Sequence, residues 1–235
     1  MTSQTQNLTI LPPTQETIPS FSRLTRTLLP INYGPKFFEA SLQPPSPANA
    51  YSLARVANWN DSPNSGDKPQ SQVIAGIYGR IQLVTDPEHQ KPPECQLYIA
   101  TLAVLAPWRG KGIAGLLLRS LVRAAVEFVE EARTHAHVHA HDQAQAQAQT
   151  DLALGQHDEV DDVWTWGPLT AVCAHVWEVN DGGLGWYCKQ GFETGELLKG
   201  YYRKLRPDGA RLVRRGVVGL LVDGKDDEGV AAELW

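Results

Sequence analysis

Cysteine is scarce: Cys95, Cys173 and Cys188 are three residues in 235, an odd number with no C-x-x-C spacing. That excludes a disulfide framework and a cysteine zinc site, and leaves free thiols in a reducing compartment as the expectation. No apolar run approaches the ~20 residues a helix needs to span a bilayer. The opening residues carry no basic segment followed by an apolar core, so no secretory signal is expected and a soluble, cytoplasmic protein is. Positive charge is also short. Lys and Arg number 21 against 26 Asp and Glu, a net charge of −5 with no long basic stripe, which argues against direct nucleic-acid binding. Internal repeats are absent. What remains is a chain of ordinary apolar content, long enough for a substantial core in one large domain or two small ones.

The most informative stretch is 97–133. Residues 98–104 are apolar and β-branched, as a central strand requires, and Pro107 stops them. Arg109, Gly110, Lys111 and Gly112 follow, with few side chains and two positive charges. From Ile113 the period becomes helical: Leu116, Leu117, Leu121, Ala124, Ala125 and Phe128 share one face, Arg119, Arg123, Glu127 and Glu130 the other. A helix opening on a glycine turn points unpaired N–H groups and a positive dipole end at one spot, which suits phosphate. A Walker loop is excluded, because Lys111 precedes the second glycine and no Ser or Thr follows. Gly110, Gly112 and Gly115 satisfy G-x-G-x-x-G, but no βαβ unit with a ribose-binding acid is apparent. A glycine-rich helix entry without any ligand stays open on this stretch alone.

Around this centre the chain reads as a first strand at 8–11, a helix at 20–29, an apolar turn at 29–34 and a short helix at 35–42. Strands follow at 51–59 and 73–84, joined by a polar Pro/Gly/Ser connection at 60–71. Residues 134–150 are low complexity and 151–162 acidic. His135, His137, His139 and His141 alternate there, but in an Ala/Gln-rich context incidental expansion in a disordered insertion is the better reading, and no metal site is proposed. Strand character returns at 169–177. Val179, Asn180 and Asp181 offer a helix cap, and strands at 193–198 and 201–205 make a hairpin. The tail 207–235 holds one apolar island at 217–222. The order β-α-α-β-β-β-α-β-α-β-β implies an α/β fold in a single domain over 1–206, with insertions at 60–71 and 134–162 and a tail that adds at most one strand.

Four blocks resemble one family. Leu97-Tyr98-Ile99-Ala100-Thr101-Leu102, then Leu105-Ala106-Pro107-Trp108-Arg109, resembles the fourth strand running into the cofactor loop of the GCN5-related N-acetyltransferase (GNAT) superfamily, and Arg109-x-x-Gly112-x-Ala114 is similar to its pyrophosphate loop. Leu29-Pro30-Ile31-Asn32-Tyr33 resembles a substrate loop, with Leu29 where Phe is usual. His175-Val176, Asn180, Trp186-Tyr187 and Gly191-Phe192 resemble the strand and helix closing the active site. Lys199-Gly200-Tyr201-Tyr202-Arg203-Lys204 resembles a paired-tyrosine hairpin. Within the superfamily the likeness is to the N-alpha-acetyltransferases, the NatE catalytic subunit type in particular. It implies a GNAT-like domain with a mixed central sheet of about seven strands flanked by about four helices.

The resemblance also implies roles. Acetyl-CoA would lie along 98–104, touching Leu102 and Val104, with its diphosphate on the loop of Arg109, Gly110, Lys111, Gly112, Ile113 and Ala114, and with Asn180 and Tyr187 close by. Tyr98 and His175 would deprotonate the amine through an ordered water. Leu29, Pro30, Ile31, Tyr33, Tyr201 and Tyr202 would hold a peptide N-terminus that retains its Met before a hydrophobic residue. Assembly with a NatA-type complex at the ribosome is implied too, at a surface that the insertion 134–162 would alter. A lysine or small-amine acetyltransferase and a non-catalytic CoA-binding adaptor remain the alternatives. On residue chemistry alone, a central-strand tyrosine is more often half-buried packing, and Tyr201 and Tyr202 on a strand would alternate faces.

Overall fold

The structure is a computed structural model that describes residues 7–60, 71–84, 94–150 and 167–222. Among them are strands β1 (Leu8–Leu11), β2 (Ser52–Asn60), β3 (Ser71–Val84), β4 (Glu94–Val104), β5 (Leu169–Trp177), β6 (Glu193–Leu198) and β7 (Ala210–Gly216). The helices are α1 (Ile18–Leu28), α2 (Pro35–Glu39), α3 (Ile113–Thr150), α4 (Asp181–Lys189) and α5 (Val217–Val222). The strands form one sheet in the order β1-β2-β3-β4-β5-β7-β6. Every pairing is antiparallel except β4 with β5. This is the single-domain α/β architecture with a mixed seven-stranded sheet expected of the sequence.

Alternation along the strands divides the interior. On β3, Ile77 belongs to the cluster that packs on α3, while Tyr78 belongs to a second cluster with α1 and α2. Successive side chains on a strand point to opposite faces, so the two clusters lie on opposite sides of the sheet. Leu117, Leu118, Leu121, Val122, Ala125 and Val129 make α3 the main cover of one face, all fully buried. Phe21, Phe38 and Tyr78 fill the other, with the Phe21 and Phe38 rings edge to face at 4.9 Å. Gly76 allows that packing, because a Cβ there would run into the Phe21 ring.

Three elements depart from the sequence reading. The low-complexity residues 134–150 continue α3 without a break to Thr150; Ala and Gln are good helix formers, and a helix already nucleated extends cheaply. The acidic residues 151–162 of the expected insertion, and 61–70 of the other, lie outside the described residues. The expected strand at 201–205 is instead a turn: Gly200 has φ +74°, and the Leu205 N–H donates to the Tyr202 carbonyl at 3.0 Å. The last strand is β7, and it does not sit at an edge. It lies between β5 and β6, with Ala174 opposite Val213 and His175 opposite Leu212.

Candidate functional site

β4 and β5 run side by side from Cys95 opposite Leu169 to Ile99 opposite Ala174, and then part. β4 continues to Val104 still paired with β3, and β5 continues to Trp177 paired with β7. Parallel strands that diverge leave a wedge beyond their carboxyl ends, where open α/β sheets receive ligands. A cavity of about 640 Å³ fills this wedge, within the usual ligand-site range of ~300–1,000 Å³. Successive strand amides point to alternate sides, so about half of those in 100–104 face the wedge instead of β3. The ladder between β3 and β4 is irregular here, with Tyr78 opposite Thr101 but Gly79 opposite Ile99. Ala100 is therefore a bulge residue, and bulges re-aim backbone groups beside sites.

The cavity is lined from six segments. The β4 side supplies Leu102 and Val104; the following loop and first turn of α3 supply Arg109, Gly110, Gly112, Ile113 and Ala114. Gly110 and Gly112 have φ +74° and +78°, with open space where a Cβ would stand. Their role is conformational: the left-handed backbone turns the chain so that α3 starts with its free amides toward the cavity. Arg109 ties this loop to the strand by donating from Nε to the Val104 carbonyl at 3.0 Å. Asn180 and Tyr187 line the cavity from α4. Asn180 is also the N-cap of that helix, its Oδ1 accepting from the Gly183 N–H at 3.0 Å. Leu29, Pro30, Ile31 and Tyr33 line it from the α1–α2 turn, His175 from β5 and Tyr202 from the β6–β7 turn.

Tyr98, Tyr201 and Lys111 do not line the cavity. Tyr98 and Tyr201 are nevertheless joined to it through His175. The Tyr98 hydroxyl is 3.3 Å from His175 Nδ1 and 2.9 Å from the Tyr201 hydroxyl. The Tyr201 ring stacks on the imidazole at 4.1 Å, and the Tyr202 hydroxyl donates to the His175 carbonyl at 3.0 Å. Because 201–205 is a turn, the alternation expected of a strand does not apply, and both tyrosines converge on one histidine. Lys111 instead places its Nζ 4.8 Å over the Trp108 ring.

Burial sets the protonation states. Burial pushes the Tyr98 phenol far above its ordinary value of 10.0, and the hydrogen bond with Tyr201 adds to the rise. The Tyr202 phenol is raised by burial and by its tyrosine neighbours. Burial lowers the His175 imidazole from 6.5, so the ring is neutral at pH 7. The Tyr98 and Tyr202 phenols thus offer hydrogen bonds, while His175 is the group able to accept a proton.

Several lining residues escaped sequence reasoning. Thr101 is 2% exposed, faces the cavity, and its Oγ1 has no hydrogen-bond partner; a threonine in an apolar strand reads only as a good β-former. Trp108, Trp177 and Trp186 also line it. Their clustering is visible only once β5, α4 and the loop after β4 meet. Among the described residues no cluster of His, Cys, Asp or Glu could hold a metal.

Residues 38–148 match the profile of the Acetyltransferase (GNAT) family. The chain is 22% identical over 204 residues to N-alpha-acetyltransferase 50 of Danio rerio, covering 87% of this chain and 85% of that one. It is 23% identical over 202 residues to a probable N-acetyltransferase, san, of Drosophila melanogaster, covering 86% and 77%. In fold it is similar to Arabidopsis thaliana Naa50 in complex with the bisubstrate analogue CoA-Ac-MVNAL: TM-score 0.53, 18% identity, 89% of this chain and 98% of that one. Arabidopsis thaliana NAA60 in complex with a bisubstrate analogue superposes with TM-score 0.59, 16% identity, and coverage of 89% and 97%.

Proposed function

The chain carries an Acetyltransferase (GNAT) family domain, and from that premise we propose that it acetylates the free α-amine of protein N-termini, preferring a retained Met followed by a hydrophobic residue. The observation that carries this reading is a single cavity lined both by the glycine turn at the start of α3 and by His175 with its tyrosines. Acetyl-CoA is the co-substrate, supplying the acetyl group as a reactive thioester. The residues present fit it: a cavity of about 640 Å³, two left-handed glycines in open space, and the unpartnered Thr101 hydroxyl. The amides of 109–114 would hold the diphosphate, with Leu102, Val104, Asn180 and Tyr187 beside the rest.

Each remaining residue has a task. The apolar wall of Leu29, Pro30 and Ile31 takes a methionine side chain, and Tyr33 and Tyr202 flank the peptide backbone. An α-amine with pKa ~7.7–8.0 is about a quarter neutral near pH 7.4, against roughly 0.1% for a lysine at ~10.4. A weak base therefore suffices. His175, neutral at pH 7, accepts the amine proton, directly or through a water that the Tyr98 hydroxyl orients. Tyr98 itself stays a phenol, since burial holds its proton on. Amides of 100–104 facing the wedge stabilise the developing oxyanion.

The test offers acetyl-CoA with peptides beginning Met-Leu or Ser-Ala, and with an N-blocked lysine peptide. The expected order places Met-Leu first and the blocked peptide last by at least about tenfold. Equal or faster turnover of the blocked peptide discards the reading.

A further inference from the structure

The chain is acidic overall, at −5, yet both segments that carry the tyrosine walls are cationic. Residues 199–206 contain Lys199, Arg203, Lys204 and Arg206 with no carboxylate; residues 23–36 contain Arg23, Arg26 and Lys36 with none. Two of the nearby carboxylates are engaged by the protein itself. Asp208 accepts from the Gly200 N–H at 3.1 Å and sits 4.0 Å from Arg206, and Glu178 accepts from the Gly209 N–H at 2.5 Å. Glu39, at the end of α2, lies just beyond the first wall. Between the two walls stands Arg80 of β3. Its register partner is Tyr98, so the two side chains share a face of the sheet. Arg80 also acts electrostatically on Tyr33. Its Nε is covered from solvent and has no hydrogen-bond partner.

A covered guanidinium donor without an acceptor is costly, and buried polar groups normally find a protein or water partner, so the Arg80 charge stands only partly compensated. We propose that the cationic rim and Arg80 make the peptide mouth selective for N-termini whose residues from about the third onward are acidic. This rests on the acetyltransferase reading and specifies its substrate class. An extended chain advances ~3.3–3.6 Å per residue, so side chains three to five residues from the amine emerge between the two cationic walls. Arg80 adds its positive charge beside Tyr33 and Tyr98, while Lys199, Arg203 and Lys204 draw the following acids by longer-range attraction. The rim is short and the rest of the surface repels polyanions, which favours an acidic peptide over a nucleic acid.

Three peptides sharing the start Met-Leu-Gly are compared, continued by Glu-Asp-Glu, Gln-Asn-Gln or Lys-Arg-Lys. Exposed charge pairs contribute modestly, so kcat/KM is expected to favour the acidic over the basic peptide about tenfold at 50 mM salt. The preference shrinks to roughly threefold or less at 500 mM. Arg80→Gln, and separately the combined Lys199→Gln, Arg203→Gln, Lys204→Gln variant, each lower the acidic-to-basic ratio toward unity. Equal kcat/KM for the three peptides overturns the inference and leaves the acetyltransferase reading standing. Absent turnover of all three, with the N-blocked lysine peptide accepted, overturns the earlier reading instead. A single-stranded RNA that inhibits all three alike, with no acidic preference, assigns the rim to nucleic acid and also overturns the inference.

Discussion

His175 is fixed from three directions, and each fixes something different. Tyr98 meets Nδ1 at 3.3 Å, Tyr201 covers a ring face at 4.1 Å, and the Tyr202 hydroxyl holds the backbone carbonyl at 3.0 Å. Burial depresses the imidazole pKa below 6.5, so the neutral form needed to accept a proton is present above that value and lost as pH falls through it. The kcat profile is therefore expected to keep an acidic limb below pH 6.5. His175→Ala should remove that limb and lower kcat on the order of 10²-fold, the lower end for a general base, with CoA affinity largely kept by calorimetry. An unchanged limb would show that another group takes the proton. Tyr202→Phe deletes one partly buried hydrogen bond, about 0.5–1.5 kcal/mol; a kcat loss of roughly threefold to tenfold is expected, without an effect on cofactor binding. At this scale the sequence was most legible where a motif surrounds the residue. Thr101 and Arg80 were illegible, since an orphaned hydroxyl and an unpartnered guanidinium Nε exist only after β3, β4 and their neighbours have been brought together.

At the level of elements, the glycine turn and α3 act as one device. Gly110 and Gly112 sit in the left-handed region with nothing near an added Cβ, so an alanine there meets backbone strain and no clash. That strain is ~1–2 kcal/mol per residue. Gly112→Ala is expected to weaken CoA binding about tenfold, because relief of the strain rotates the amides away from the cavity. Thermal unfolding should shift by only a few degrees, and calorimetry beside a melting curve separates the two effects. This element was readable in advance because its signal is local: β-branched run, proline stop, glycines, then a clean helical period. β7 was not. Its sequence ARLVRRG buries only Ala210 and Val213 fully, too few apolar positions to stand out among three arginines. The Tyr201-Tyr202 pair drew the strand assignment toward itself on aromatic propensity, although those rings are held in a turn by hydrogen bonds to β4 and β5 residues.

For the whole molecule, the cleft depends on an element that comes after every site residue in the chain. β5 has β4 on one side only as far as Ala174; beyond that, among the described residues, the strand paired with 175–177 is β7, with His175 opposite Leu212 and Trp177 opposite Ala210. A wedge between β4 and β5 can stay open only if β5 is anchored from behind. α5 completes the anchor, since Val217 and Leu220 are buried in the same core cluster as α3. A chain ending at residue 206 would thus keep both tyrosines, His175 and the glycine turn while losing the strand that keeps the wedge in shape. It is expected to show no cooperative melting transition and no CoA uptake. Val213→Ala is the gentler probe: removing most of a fully buried valine side chain costs about 1.5–3 kcal/mol at a residue outside the cavity. Denaturant unfolding should report that loss while kcat at 20 °C stays within twofold. If the truncated chain instead melted cooperatively and bound CoA, β7 would be a mere addition to a complete domain, and the anchoring argument for the cleft would fail.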